Sequence, residues 1–132
     1  MNKSFYLGLL CLGICLFSAC TKSHQTTPES TLNYFLEKLK AVEFDRAAEC
    51  ALGEVRTLMN DLHTEWKMSN EQEKERLKVS FQFPVENLKC DTIENVVLCT
   101  LVSPIEKNNM TFSLQKQEKY WYIDSWDIQV YE

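Results

Sequence analysis

The spacing of hydrophobic residues changes near residue 79, and this change limits the fold more than any other feature. Before it, apolar residues recur at the spacing of one buried helix face: Val55, Leu58, Met59, Leu62 and Trp66. After it, apolar residues recur at every second position, which is typical of strands with one buried face. The pattern predicts an α+β fold, with N-terminal helices packed on an antiparallel sheet of about four strands.

Two helices are predicted before the Val55–Trp66 helix, and the second of them is short. Thr27 and Pro28 suit the N-cap and first residue of a helix that ends near Val42. We expect the next helix to begin with Asp45 as its cap and to end at Gly53. Together the three helices supply the apolar surface that the sheet covers.

A polar helix is predicted after the third helix, followed by the first strand. Ser69 and Gln72 form a plausible capping box, and the charged run continues to about Lys78. Apolar and polar residues alternate over 79–83, and Pro84 limits that segment to an edge strand or a kink. We therefore expect an edge strand at the start of the sheet.

Two cysteines face each other in the predicted hairpin. A two-residue turn at 94–95 puts Cys90 opposite Cys99 at a non-hydrogen-bonded pair, where α-carbons lie about 4.5 Å apart. That distance allows a disulfide, which an oxidising compartment would favour. Two alternatives remain open: both thiols are buried and free, or Cys50 bridges to one of them.

The last strand contains two apolar sets of opposite parity: Trp121 and Ile123, then Trp126, Ile128 and Val130. One side of a strand takes every second residue, so both sets reach the core only if a bulge or bend lies near 124–125. We expect a strongly curved sheet as a consequence.

The first twenty residues have the three parts of a secretory signal. Lys3 is followed by an apolar run over 5–17, which is shorter than the roughly 18 to 20 residues that span a bilayer. Two small residues then precede Cys20, whereas Cys11 and Cys15 follow larger ones. A signal peptidase with a narrow pocket would therefore select only Cys20.

Leu16-Phe17-Ser18-Ala19-Cys20 resembles the lipobox of bacterial lipoproteins, with Phe17 where leucine is usual. The resemblance implies that residues 1–19 are a signal peptide and that Cys20 becomes a lipid-carrying, palmitate-bearing N-terminus. Residues 20–27 would then be the lipidated cysteine and a polar tether, and residues 28–132 a single α+β domain. The alternative is an ordinary secretory leader cut after Ala19, which leaves Cys20 free.

The charge of the chain limits its partners. The sequence has 14 Lys and Arg against 19 Asp and Glu. Such an acidic chain lacks the basic surface that a nucleic acid needs, so no nucleic-acid partner is expected. Anionic lipid would not attract it either, so membrane attachment has to come from the acyl chains on Cys20.

Three segments together resemble the nuclear transport factor 2 like superfamily of cone-shaped α+β domains, and its small bacterial lipoproteins in particular. They are the helix at 32–39, the run Val42-Glu43-Phe44-Asp45-Arg46-Ala47-Ala48, where the family commonly has a gly-asp-tyr turn, and the closing strand at 120–124. The resemblance implies a sheet that wraps over the first helix and forms a pocket, with Phe112, Trp121 and Trp126 as candidate lining residues. That pocket holds substrate in isomerases and dehydratases, and is vacant or filled by side chains in other relatives.

The domain has few residues that are candidates for catalysis or metal binding. Its one histidine, His63, points away from Asp61 and Glu65 on a helix and is expected to be an exposed side chain. Asp124 and Asp127 could line a pocket, although bend residues and solvated carboxylates explain them more simply. No catalytic residue, metal ligand or cofactor is predicted.

The sequence favours a lipid-anchored, non-catalytic binding or accessory module of the bacterial cell envelope, with an unknown protein or small-molecule ligand. The alternatives are a small isomerase- or dehydratase-like enzyme and a structural envelope protein. Because no Asp follows Cys20, sorting rules for lipoproteins favour the outer membrane. A cavity filled by Phe112, Trp121 and Trp126 would favour the binding module, and a water-accessible cavity with two convergent polar groups would favour the enzyme.

Overall fold

The computed structural model describes residues 22–82, 88–102 and 108–130. The helices are α1 (Pro28–Lys40), α2 (Phe44–Glu49), α3 (Gly53–Met68) and α4 (Glu71–Ser80), preceded by a 3-10 turn at Ser23–Gln25. The strands are β1 (Leu88–Ile93), β2 (Val96–Val102), β3 (Asn108–Gln117) and β4 (Tyr120–Val130). The predicted signal peptide with Cys20, and Phe83 and Pro84 of the predicted edge strand, lie outside the described residues.

The four strands form one antiparallel sheet in the order β1-β2-β3-β4, which confirms the α+β class. The pairings of β1 with β2 and of β2 with β3 are uninterrupted, and the one register shift lies in the β3–β4 pair, where Asp124 is the extra residue. The predicted bulge is therefore present. The prediction of a strongly curved sheet is wrong, because one extra residue bends one strand pair and leaves the other two regular.

Helix α1 begins as the sequence predicts and ends two residues earlier. Thr27 Oγ1 accepts a hydrogen bond from the Ser30 amide at 3.1 Å, and Ser30 Oγ accepts one from the Thr27 amide. The helix stops at Lys40, and Val42 follows in a left-handed conformation with a φ of 55°. A left-handed residue just after a helix is a common way to end it.

Two predicted boundaries near α2 are wrong. Asp45 lies inside the first turn of α2 and is not its cap; no side chain caps this helix. Gly53 does not end α2, which stops at Glu49, but begins α3 with a φ of 53°. A glycine adopts this angle without the strain that a β-carbon would bring, so it turns the chain sharply into α3.

Helix α4 begins one residue later than predicted and runs through the start of the predicted edge strand. Asn70 and Glu73 form its capping box, in place of Ser69 and Gln72. The helix continues to Ser80, so residues 79 and 80 are helical and do not begin a strand. Val79 remains exposed, whereas Phe81 packs its ring edge against the buried Phe44 at a centroid distance of 5.3 Å.

The β1–β2 hairpin has the register that a two-residue turn at 94–95 predicts. Ile93 pairs with Val96, and Cys90 pairs with Cys99 at a Cα–Cα distance of 4.0 Å. The two sulfur atoms form a disulfide bond in the structure. Cys50 is a free, buried thiol, and burial raises its pKa to about 12.

The core lies between the helices and one face of the sheet. Helix α1 contributes Leu32, Phe35, Leu36 and Leu39, and the sheet contributes Val97, Cys99, Leu101, Met110, Phe112, Leu114 and Ile123. Helices α2 and α3 complete it with Phe44, Ala47, Ala48, Val55 and Met59. The small residues of α2 let this helix pack closely against its neighbours.

Alkylation of the native, unreduced protein is expected to leave all three domain cysteines unmodified. Cys50 resists because burial keeps it a neutral thiol, and the thiolate is the reactive form. Cys90 and Cys99 resist because they are bonded to each other. Alkylation in urea without reductant should then label Cys50 alone.

Peptide mass spectrometry after each treatment identifies the labelled cysteine. Reduction in urea supplies the positive control, in which all three residues are labelled. Labelling of Cys90 or Cys99 before reduction would contradict the disulfide, and native labelling of Cys50 would contradict its burial.

Candidate functional site

The outer edge of β4 is closed by the connection between α2 and α3. The Ile123 amide donates a hydrogen bond to the Cys50 carbonyl at 2.8 Å, and the Leu52 amide donates one to the Ile123 carbonyl, also at 2.8 Å. Ala51 thereby lies beside Ile123 as a short parallel bridge. This pairing fixes where α3 begins relative to the sheet.

A cleft of about 450 Å³ opens immediately after that pairing ends. The chain leaves the strand edge at Gly53 to enter α3, while β4 continues past its bulge at Asp124. The space between them is lined by Gly53, Glu54, Val55 and Leu58 of α3 and by Asp124, Ser125, Trp126 and Asp127 of β4. The bulge residue Asp124 and the left-handed Gly53 both line the cleft.

The lining of the cleft is polar and apolar in comparable parts. Glu54, Asp124 and Asp127 bring carboxylates, whereas Leu58, 45% exposed, and Trp126 bring apolar surface. The indole Nε1 of Trp126 is buried and has no acceptor among the described residues. The cleft suits a small ligand that carries hydrogen-bonding or cationic groups on an apolar frame.

The interior between α1 and the sheet is filled by aromatic rings. Phe112 is fully buried and stacks on Trp126, with ring centroids 5.5 Å apart. Phe35 of α1 meets both rings edge to face, at 6.3 Å from Phe112 and 6.2 Å from Trp126. These contacts occupy the place where a pocket under the sheet would lie.

The three residues predicted to line a pocket have different positions. Phe112 belongs to the core. Trp126 packs against the core and also lines the surface cleft. Trp121 is half-buried against the core, and its carbonyl accepts a hydrogen bond from the side chain of Gln25. They therefore do not surround one cavity.

The N-terminal turn packs on the domain, in contrast to the free polar tether expected through Thr27. Gln25 is 1% exposed, and its Nε2 donates to the Trp121 carbonyl at 3.0 Å. His24 stacks on the Tyr34 ring, with centroids 3.6 Å apart. Sequence reasoning missed these residues because a polar segment has no hydrophobic period that would reveal its burial.

The other candidate residues from the sequence, His63 with Asp61 and Glu65, do not form a site together. His63 is half-buried, not exposed as predicted, and its neighbours Asp61 and Glu65 are exposed. Within residues 22–82, 88–102 and 108–130, no group of three His, Cys, Asp or Glu side chains could hold a metal ion. In the same ranges no helix has the length and apolar character needed to cross a bilayer.

Comparison with known proteins identifies no relative: no family model, no curated protein and no solved structure matches this chain.

Truncation of Phe112 to Ala is expected to lower the free energy of unfolding by about 3–5 kcal/mol, the usual cost of a large core cavity. Thr111→Ala, on the opposite face of β3, is the matched control and should cost less than about 1 kcal/mol. Urea denaturation followed by circular dichroism measures both. A loss at Phe112 no larger than that at Thr111 would mean that the interior is open and not packed.

The free energy of unfolding is expected to decrease as the pH is lowered from about 7.5 to about 5.5, because His24 takes up a proton. Its pKa lies below the ordinary value because burial disfavours the charged ring; Glu49 opposes this shift and Lys38 adds to it. A lowered folded-state pKa gives stability that is complete above the unfolded-state pKa of about 6.5 and is lost as the pH falls through the folded-state pKa.

Urea midpoints at the two pH values measure this loss. His24→Gln should reduce the difference between them, whereas the control His63→Gln should keep it. An equal difference in wild type and His24→Gln would show that other groups cause the pH dependence.

Proposed function

We propose that this chain is a lipid-anchored protein of the bacterial cell envelope, held in the outer membrane by acyl chains on Cys20. The support is the signal-like leader and the two small residues before Cys20. Two or more acyl chains make anchoring stable, since each buried methylene contributes about 0.8 kcal/mol. The packed domain then begins close to the lipid, because Ser23–Gln25 already belongs to it.

We further propose that the domain is a non-catalytic binding or accessory module. The observation that carries this proposal is the aromatic filling beneath the sheet, where Phe112 and Trp126 stack against Phe35. An isomerase or dehydratase of this shape would need that space for substrate. The surface cleft beside Trp126 is a concave site outside this filled interior, and it suits an external ligand or a partner side chain.

The finer fold assignment, a nuclear transport factor 2 like domain, is also a proposal. The order of helices followed by an antiparallel meander supports it. The family commonly has a gly-asp-tyr turn after its first helix, and here Val42 takes the left-handed conformation that glycine adopts most readily. An acidic and an aromatic residue, Glu43 and Phe44, follow in the same order.

Metabolic labelling with a palmitate analogue tests the anchor. The full chain expressed in bacteria should incorporate the label, and the Cys20→Ala variant should not, because it lacks the acceptor sulfur. Globomycin, which inhibits the lipoprotein signal peptidase, should cause the uncleaved form to accumulate.

The Cys15→Ala variant is the matched control, since Cys15 lies in the same leader without small residues before it. It should be labelled and processed like the wild type. Unchanged labelling and membrane partitioning of Cys20→Ala would contradict the proposal. The packing measured at Phe112 tests its second half separately, because an open interior would favour the alternative, an isomerase- or dehydratase-like enzyme.

A further inference from the structure

We propose that one end of the sheet rests on the bilayer in which the chain is anchored. This end consists of the two hairpin turns at 94–95 and 118–119 and the residues next to them on the sheet face that points away from the helices. We call it the hairpin end. The inference rests on the proposed lipid at Cys20, and it adds the surface that faces the membrane.

Lys22 is fixed to this end of the sheet. Its Nζ lies 5.1 Å from the centroid of the Tyr120 ring and 5.9 Å from that of Tyr122, and it donates a hydrogen bond to the Tyr122 hydroxyl at 3.4 Å. The Lys22 carbonyl accepts the Gln25 amide at 3.1 Å. Gln25 in turn is buried and bonded to the carbonyl of Trp121.

The distance from this fixed point to the lipid is short. Lys22 is two residues after Cys20, and a fully extended chain gains at most about 3.6 Å per residue, so the two α-carbons lie within about 7 Å. Acyl chains on Cys20 enter the bilayer at its surface. The residues around Lys22 therefore lie at the level of the lipid headgroups.

The hairpin end carries exposed apolar residues in one cross-strand row. Ile93 pairs with Val96, Val96 with Gln115, and Gln115 with Tyr122, so these side chains share one face of the sheet. Neighbouring strands are about 4.8 Å apart, so Val96 lies about 10 Å and Ile93 about 14 Å from the strand of Tyr122, on the same surface. Ile93 is 56% exposed and Val96 is 37% exposed.

The chemistry of this surface fits the boundary between lipid and water. Tyrosine is enriched there because its ring is apolar and its hydroxyl is polar, and a lysine can extend its ammonium to the phosphates. Ile93 and Val96 add apolar contact at the edge of the acyl region. The turn residues are hydrophilic: Asn95 and Lys119 can bind headgroup phosphates, whereas the carboxylates of Glu94 and Glu118 have to remain hydrated.

The apolar surface of the hairpin end is too small to bind a membrane by itself, and the proposed acyl chains make this unnecessary. The acyl chains keep it at the surface, so docking becomes an intramolecular step at high effective concentration. Even weak contacts then set an orientation. The other end of the domain, where Gln82 donates a hydrogen bond to the Lys40 carbonyl and Phe81 packs on Phe44, would point away from the bilayer.

Photocrosslinking in intact bacteria tests the orientation in the full chain. We would introduce benzoylphenylalanine at Tyr122, at Ile93 and, as the control, at Met68, which is 83% exposed at the far end of α3. Mass spectrometry should find several-fold more phospholipid adducts at Tyr122 and Ile93 than at Met68. Equal yields at all three positions, or adducts with protein in place of lipid, would overturn the proposal.

A second variant tests the role of the short connection. A flexible Gly/Ser linker of about ten residues between Thr21 and Lys22 adds about 17 Å of mean reach and should lower the lipid adducts at Tyr122 several-fold. An unchanged yield would show that the connection does not place this surface. Palmitate labelling is measured in every variant, so a loss of the anchor is distinguished from a loss of orientation.

Discussion

Two backbone hydrogen bonds, between Ile123 and the segment from Cys50 to Leu52, determine how the helices meet the sheet. An edge strand has unpaired amides and carbonyls, and here the connection between α2 and α3 satisfies those of Ile123. The same connection buries Cys50, so its thiol stays protonated, and it delivers the chain to Gly53 at the strand edge. The start of α3, and with it the cleft beside β4, follows from this contact.

The packing of Trp126 against Phe112 and Phe35 depends on the bulge in β4. Without the extra residue at Asp124, Trp126 would lie on the outer face of the sheet and could not reach Phe112 and Phe35. The bulge therefore turns a large ring into the core at the place where the cleft opens. The Nε1 of Trp126 is buried there and has no acceptor among the described residues.

Much of this arrangement could be predicted from local patterns. The cap at Thr27, the hairpin register and the bulge each depend on a few neighbouring residues, and the structure contains all three. The apolar stripe of α3 is confirmed in part: Val55 and Met59 are buried, whereas Leu58 is 45% exposed. The errors arose where tertiary contacts decide. Sequence alone cannot show that Gly53 leaves a strand edge instead of ending a helix, because Ile123 lies about seventy residues further along the chain.

The packing of the N-terminal turn shows why such contacts matter for function. A polar segment before the first helix is ordinarily a free tether, and an anchor on a free tether leaves its domain without orientation. Here the segment is fixed to β4 by two contacts. The buried side-chain amide of Gln25 binds the Trp121 carbonyl, and the Lys22 ammonium lies against the rings of Tyr120 and Tyr122. The chain is net acidic, so attraction to anionic lipid would not orient it. With the proposed anchor at Cys20, orientation at the membrane depends on where the connection joins the domain, which is beside the half-buried Tyr120 and Tyr122 of the hairpin end.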